Sequence, residues 1–409
     1  MDAKQTLGEP RLLISRSALL HNAGMIRKAI PPGTRICAIL KANAYGHCAR
    51  IVADALCNYA ADASDTPAVD GIAVASIEEA AELPDVNVPV TIFRPLENAF
   101  LGRQRAKLDE AVRHGWVLTL CSPAGAEDLA RIAVAAGKRA AVQVMIDTGM
   151  TRAGVEPGQF AELLQRIGAR PSLRLVGVCT HFSDADEQHS NHTLNQIARF
   201  RQCTDPFADL FRGKVMRHAA NSGAVFFLSA AHLDMVRPGI ALYGIDPTGT
   251  PSVSRALRPV MKWTAPLIGI RQIRRGICVG YGQTWQAARD TRIGLVPVGY
   301  ADGYLRAYSN RAVMLVHGKP APVVGRVSMD LTTIDLGSIP QAQVGDEVTL
   351  LDNDPLSPVS AYALAKWADT IPYEIFCRIG PRIQRVAVAP EGWEHLGPPL
   401  AASRTKDVS

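Results

Sequence analysis

The stretch Ala38-Ile39-Leu40-Lys41-Ala42-Asn43-Ala44-Tyr45-Gly46-His47 brings an apolar, strand-like run to an end on a lysine. Outward from it, the run over 36–40 is the first of a series continuing at 71–75, 90–93, 116–120, 141–146, 175–181, 215–219 and 234–236. Segments of helical period, such as 127–136 and 159–167, separate most of these runs. Eight strands divided by helical stretches predict a parallel (β/α)8 TIM barrel, in preference to a doubly wound sheet, which gives a similar alternation. The strand ends of a barrel form its catalytic face. A lysine placed there is desolvated, which lowers its pKa and frees a nucleophilic amine. Taken alone, however, Lys41 reads as a side chain snorkelling at the barrel rim.

The pattern changes after Gly244. A connector rich in Pro, Gly and hydroxyl residues, 246–252, leads into β-favouring runs at 267–273, 293–298, 313–316, 323–327 and 347–351. Helical signals are nearly absent there until 361–368, which predicts a mostly antiparallel β domain. The early run 11–14 is a candidate to pair into it. The expected division is therefore an N-terminal strand (1–13), a barrel (14–248), a β domain (249–389) and a flexible tail (390–409) rich in Gly, Pro, Ser and charge.

At 409 residues the chain can bury a large core without disulfides. The net charge of +6 comes from scattered basic residues, with only Arg271, Arg274 and Arg275 clustered, which disfavours a nucleic-acid surface. The eight cysteines include no CxxC pair, so neither a metal nor a redox site is expected, and reduced thiols in a cytoplasmic protein fit best. Residues 1–5 lack the apolar core of a signal peptide, and no run reaches the roughly 18 apolar residues of a membrane span.

Beyond the lysine segment, seven stretches bear chemistry. His218-Ala219-Ala220-Asn221-Ser222-Gly223 follows the seventh strand and Arg237-Pro238-Gly239-Ile240 the eighth, where barrels often bind phosphate. Ser222 offers a hydroxyl and Gly239 lets backbone N–H groups approach an anion, although a helix cap at Ser222 and a turn at Gly239 are the plainer readings. His181 ends the sixth strand, where a lone histidine is more often a hydrogen-bonded core residue. Glycine-flanked Tyr281 and Tyr300, and the run Gly325-Arg326-Val327-Ser328-Met329-Asp330, lie in the β domain. Arg152 lies in Asp147-Thr148-Gly149-Met150-Thr151-Arg152-Ala153-Gly154.

Together, and in the order in which the chain presents them over nearly its whole length, these segments resemble the alanine racemases. The resemblance implies that Lys41 holds pyridoxal 5'-phosphate covalently. It assigns Tyr45, Ser222, Gly239, Ile240 and Tyr373 to the cofactor phosphate, Arg237 to the pyridine nitrogen, and His181 and His218 to a hydrogen-bond network beside the ring. It makes Lys41 and Tyr281 the two acid/base groups. Arg152 and Met329 bind the substrate carboxylate, with Tyr300 and Asp330 in support. It also implies a homodimer in which Tyr281 serves the partner's site, with alanine as substrate. The sequence departs from the family at Met145, where many members carry a carbamylated lysine that orients the arginine. Three rival readings share parts of the pattern: a broader-specificity amino-acid racemase, a barrel-fold decarboxylase, and a non-catalytic cofactor-binding protein. The last needs no β domain carrying Tyr281, Tyr300 and Asp330.

Overall fold

The computed structural model describes residues 8–58, 67–96, 104–187, 190–252 and 256–388. The described chain forms two compact units. One comprises Ala18–Pro259 with Ile371–Cys377; the other comprises the residues up to Ser17, Val260–Thr370, and those from Arg378 onward. Ile371–Cys377 thus joins the barrel's unit, although it falls within the 249–389 expected for the β domain. The expected tail, 390–409, lies outside the described residues.

The first strand, β1 (Arg11–Ser15), belongs to the second unit. The next eight close into a parallel barrel: β2 (Arg35–Ile39), β3 (Gly71–Val74), β4 (Val90–Leu96), β5 (Val117–Leu120), β6 (Ala140–Met145), β7 (Leu173–Cys179), β8 (Met216–His218) and β9 (Met235–Val236). Pairing of β2 with β9, through Arg35↔Met235 and Ile36↔Val236, shuts the ring. The eight apolar runs form these strands because both faces are buried: one packs into the barrel, the other under helices. Helix Phe160–Gly168 shows the outer layer, sinking Phe160, Leu163, Leu164 and Ile167 while its other face carries charge. Asn22, fully buried on helix Arg16–Ala29, ties the end of the barrel unit together. Its Nδ2 donates to Leu242 O (2.9 Å) and Arg258 O (2.8 Å), and its Oδ1 accepts from Arg258 N (2.8 Å).

The second unit is mostly antiparallel. Its strands are β10 (Met261–Pro266), β11 (Gly269–Ile273), β12 (Cys278–Val279), β13 (Trp285–Gln286), β14 (Thr291–Val296), β15 (Val313–Val316), β16 (Lys319–Pro322), β17 (Thr332–Asp335), β18 (Glu347–Leu351) and β19 (Gln384–Val388). A six-stranded sheet runs β16-β15-β18-β10-β1-β19, and β1 lies antiparallel to β10 but parallel to β19. A three-stranded sheet, β11-β14-β17, and the β12-β13 pair complete it. The strand expected at 323–327 does not form, and Val323 makes only an isolated bridge to Ile334. Gly325, at φ +78°, turns the chain there so closely that a side chain would lie 2.6 Å from Val279 O. Among the described residues no helix is long and apolar enough to cross a membrane, and no disulfide is present.

Candidate active site

Within the barrel unit, a cavity of about 560 Å³ opens among the strand ends. It gathers Lys41, Tyr45, Arg152, His181, Ser222, Arg237, Gly239, Ile240 and Tyr373, together with Met145. A larger cleft of about 720 Å³ runs past Asp147, Arg199 and Phe207, but it holds none of the predicted site residues. The predicted site residues of the barrel unit therefore gather in the smaller one.

Lys41 directly follows Leu40 at the end of β2, and the backbone after it does something unusual. Ala42, Asn43, Ala44 and Tyr45 all take φ between 52° and 54°, a turn of left-handed helix built without glycine. Each such residue costs on the order of 1–2 kcal/mol, so the turn persists only because its surroundings fix it. Ala44 N donates to Leu40 O (2.8 Å) and Gly46 N to Ala42 O (2.9 Å). Asn43 Oδ1 accepts from Ala49 N (2.7 Å). Gly46 sits so close to Phe376 that a side chain would meet its carbonyl oxygen at 2.2 Å. The Lys41 amine pKa is lowered, mainly by burial and further by the Arg152 charge, with Cys377 and Glu79 opposing. That favours the neutral, nucleophilic form.

Next to the lysine's strand, β8 and β9 end in a cradle. Ser222 Oγ accepts from Gly239 N (2.9 Å) and Ala241 N (3.3 Å), so Ser222 is not the helix cap. Asn221 caps the helix Ser222–Phe227 instead, through Ala224 N (3.1 Å). A side chain on Gly239 would lie 2.4 Å from the Tyr45 hydroxyl, so only glycine admits that tyrosine. Tyr45 packs between Tyr243 (ring centroids 4.9 Å apart) and Tyr373 (6.0 Å). Burial raises the pKa of both Tyr45 and Tyr373, the latter to about 12 with help from nearby Asp186. Both phenols therefore stay protonated hydrogen-bond donors. The Ser222 hydroxyl and the two phenols around this glycine form a donor set that suits a phosphate.

Arg237 is buried beneath the cavity. Its Nη1 donates to His218 Nδ1 (2.8 Å), and its Nη2 to Thr180 O (2.6 Å) and Ala219 O (3.1 Å). The Nε–H and one Nη1–H keep no described protein acceptor, and the residue lines the cavity. Its guanidinium stands 5.5 Å from the centre of the Phe93 ring. A fixed donor in a cavity floored by an aromatic ring fits a flat heterocycle with an acceptor nitrogen, which such a guanidinium would hydrogen-bond rather than protonate.

The expected network beside the ring is only partly present. Arg237 and His218 are bonded, but the His181 ring makes no hydrogen bond with a described residue. Its pKa is pushed down to about 3, first by burial and then by the charges of Arg237, Arg152 and Lys41. Such an imidazole is neutral at ordinary pH. Arg152 likewise makes no hydrogen bond with a described residue. Met145 lies instead in an apolar cluster with Cys121 and Cys179, against Phe93 and Ala153, so no carboxylate-like group reaches the arginine from that position.

In the second unit, three predicted segments converge. Tyr300 N donates to Ser328 O and Ala301 N to Met329 O, both at 3.0 Å. A side chain on Gly282, beside Tyr281, would lie 3.4 Å from Arg326 Cζ. Arg382 joins Asp330 (2.9 Å) to the buried Asp302 (2.9 Å). Tyr281 (71%), Met329 (54%) and Tyr300 (41%) are exposed far beyond what such side chains show in a core. Sequence reasoning passed over Phe93, Arg94 and Asp186, which also line the cavity. Nothing in their local sequence marks them, since each lies in a run that reads as strand or loop.

Comparison with known proteins bears on this arrangement. Residues 14–247 match the alanine racemase N-terminal domain and residues 260–387 the alanine racemase C-terminal domain. The chain is 39% identical over 376 residues to an alanine racemase of Chlorobaculum tepidum, an alignment that covers 92% of this chain and 94% of the relative. An alanine racemase of Clostridium difficile 630 superposes with a TM-score of 0.84 at 30% identity, covering 94% of this chain and 97% of that one. The alanine racemase of Bartonella henselae, solved with covalently bound pyridoxal phosphate, superposes at 0.78 with 27% identity, covering 93% and 100%. Matched through both domains and over nearly its full described length, the chain belongs to the alanine racemase family.

Proposed function

We propose that this chain interconverts L-alanine and D-alanine with pyridoxal 5'-phosphate, acting as a homodimer in the cytoplasm. The observation that carries the reading is the meeting, in one cavity, of a lysine whose pKa burial lowers, a hydroxyl-lined glycine cradle and a buried arginine. Lys41 would hold the cofactor, Tyr45, Ser222, Gly239, Ile240 and Tyr373 its phosphate, and Arg237 its ring nitrogen. When bound, the cofactor delocalises the electron pair left by loss of the substrate α-proton.

The remaining work belongs to side chains. Racemisation needs a proton removed on one face of the α-carbon and delivered on the other. Lys41 Nζ takes the proton from a D-substrate, and the Oη of Tyr281 of the partner subunit supplies one to the opposite face. The roles exchange for an L-substrate. The exposure of Tyr281 supports its service to a second subunit. Arg152 and the Met329 backbone orient the substrate carboxylate, while Tyr300 and Asp330 shape the entrance. With two of its N–H donors held by backbone carbonyls and a third by His218, Arg237 keeps its proton. Such a partner limits how strongly the ring withdraws electrons, which suits a reaction that returns the proton promptly.

The test is conversion of L-alanine by the full chain, supplied with pyridoxal phosphate, in deuterated water. Formation of D-alanine carrying deuterium at the α-carbon is expected. Release of carbon dioxide without racemisation, or no exchange at all, would overturn the reading in favour of a decarboxylase or a storage protein.

A further inference from the structure

Ser76-Ile77-Glu78-Glu79 has the sequence of a capping box, in which the glutamate three residues after the cap reaches back to the cap's own N–H. Half of that motif is present: Ser76 Oγ accepts from Glu79 N (3.3 Å) at the start of helix Ile77–Ala81. The other half is diverted. Glu79 Oε2 accepts from Ala75 N (2.6 Å), one residue before the cap, and Oε1 reaches across to Ala42 N (2.9 Å). Ala42 is the residue after Lys41 and the first of the four in left-handed conformation. Both carboxylate oxygens thus hold backbone at the catalytic edge of the barrel, one on the end of β3 and one on the turn after β2.

We infer that Glu79 is the positioning residue for Lys41: its carboxylate ties the strained turn that follows the lysine to the end of the neighbouring strand, and so fixes where the amine stands in the cavity. A turn of L-residues held against its own preference relaxes when its anchor is removed. Ala42 N lies at the point where relaxation would begin, and a charged acceptor makes the stronger kind of hydrogen bond. Of the other supports of the turn, Ala44 N on Leu40 O and Gly46 N on Ala42 O are backbone bonds within it, while Asn43 with Ala49 and Gly46 against Phe376 act farther along. Among the described residues, Glu79 alone grips Ala42, next to the lysine, through a side chain. This inference rests on the reading of Lys41 as the cofactor lysine.

Ser76 separates positioning from simple helix stability, because Ser76→Ala weakens the same helix without touching either carboxylate bond. The full chain, Ser76→Ala, Glu79→Gln and Glu79→Ala are each titrated with pyridoxal phosphate. Borohydride reduction followed by peptide mapping identifies the labelled lysine, and thermal midpoints are recorded in parallel. Glu79→Ala is expected to bind the cofactor about tenfold or more weaker, the loss of a charge-assisted hydrogen bond. Glu79→Gln, which keeps one acceptor oxygen, should fall between it and the native chain. Ser76→Ala should stay within about twofold of native even where its thermal midpoint falls, since a lost cap acts on the helix alone. If Glu79→Ala does not fold, Glu79→Gln decides. Native affinity in the glutamate variants, or an equal loss in Ser76→Ala, would overturn the inference. Failure of the native chain to label Lys41 would instead overturn the reading on which it rests.

Discussion

Arg237 Nη1 donates to His218 Nδ1 across 2.8 Å with both side chains buried, so this imidazole is held as an acceptor and is neutral. Burial and the Arg237 charge both push the His218 pKa well below its ordinary value. In Arg237→Leu the charge is gone, and the midpoint of His218 should rise, as followed by NMR of the ring protons. The same change strips donors from Thr180 O and Ala219 O, against which the relief of uncovering no buried guanidinium must be set. A net loss of about 2–4 kcal/mol in unfolding free energy is expected, because three buried acceptors are left behind.

His181 gives a pH dependence with a definite sign. Its pKa is about 3 in the folded chain against an ordinary 6.5, so the unfolded state binds the extra proton between those values. Stability rises with pH wherever the unfolded state holds more protons. The contribution is therefore complete above about pH 6.5 and lost as the pH falls toward 3. His181→Phe should take up about one proton fewer on unfolding near pH 5, measured by denaturation across a pH series.

Gly239→Ala puts a methyl group where the Tyr45 hydroxyl stands, at 2.4 Å. Tyr45 must move, and with it one wall of the cradle. Overpacking of this kind costs about 1–3 kcal/mol, which here should appear as roughly tenfold to hundredfold weaker binding of pyridoxal phosphate. Equilibrium dialysis reads it directly, and unchanged affinity would remove the cradle from the cofactor site.

The barrel was legible because burial on both faces writes each strand as an unbroken apolar run. All eight fall within a few residues of their expected bounds. The second unit was harder. Met261–Pro266 and Thr332–Asp335 mix polar and apolar residues in runs too short to stand out, and 323–327 looks like a strand until Gly325 bends it. At the site, Lys41, Ser222, Gly239 and Arg237 are visible because a strand end or a loop presents each. The left-handed turn over Ala42–Tyr45 is invisible for the opposite reason. None of its residues is glycine, so no composition signal announces the conformation, and long-range bonds such as that of Ala42 N to Glu79 help impose it.

The two-base assignment is tested most directly by following α-hydrogen exchange of each enantiomer separately in deuterated water, using Tyr281→Phe. D-alanine should keep exchanging through Lys41, while exchange of L-alanine should fall by about 10²–10⁴-fold, as for loss of a general acid/base. Equal rates for the two enantiomers, whether both native or both abolished, would contradict the placing of Lys41 and Tyr281 on opposite faces of the substrate.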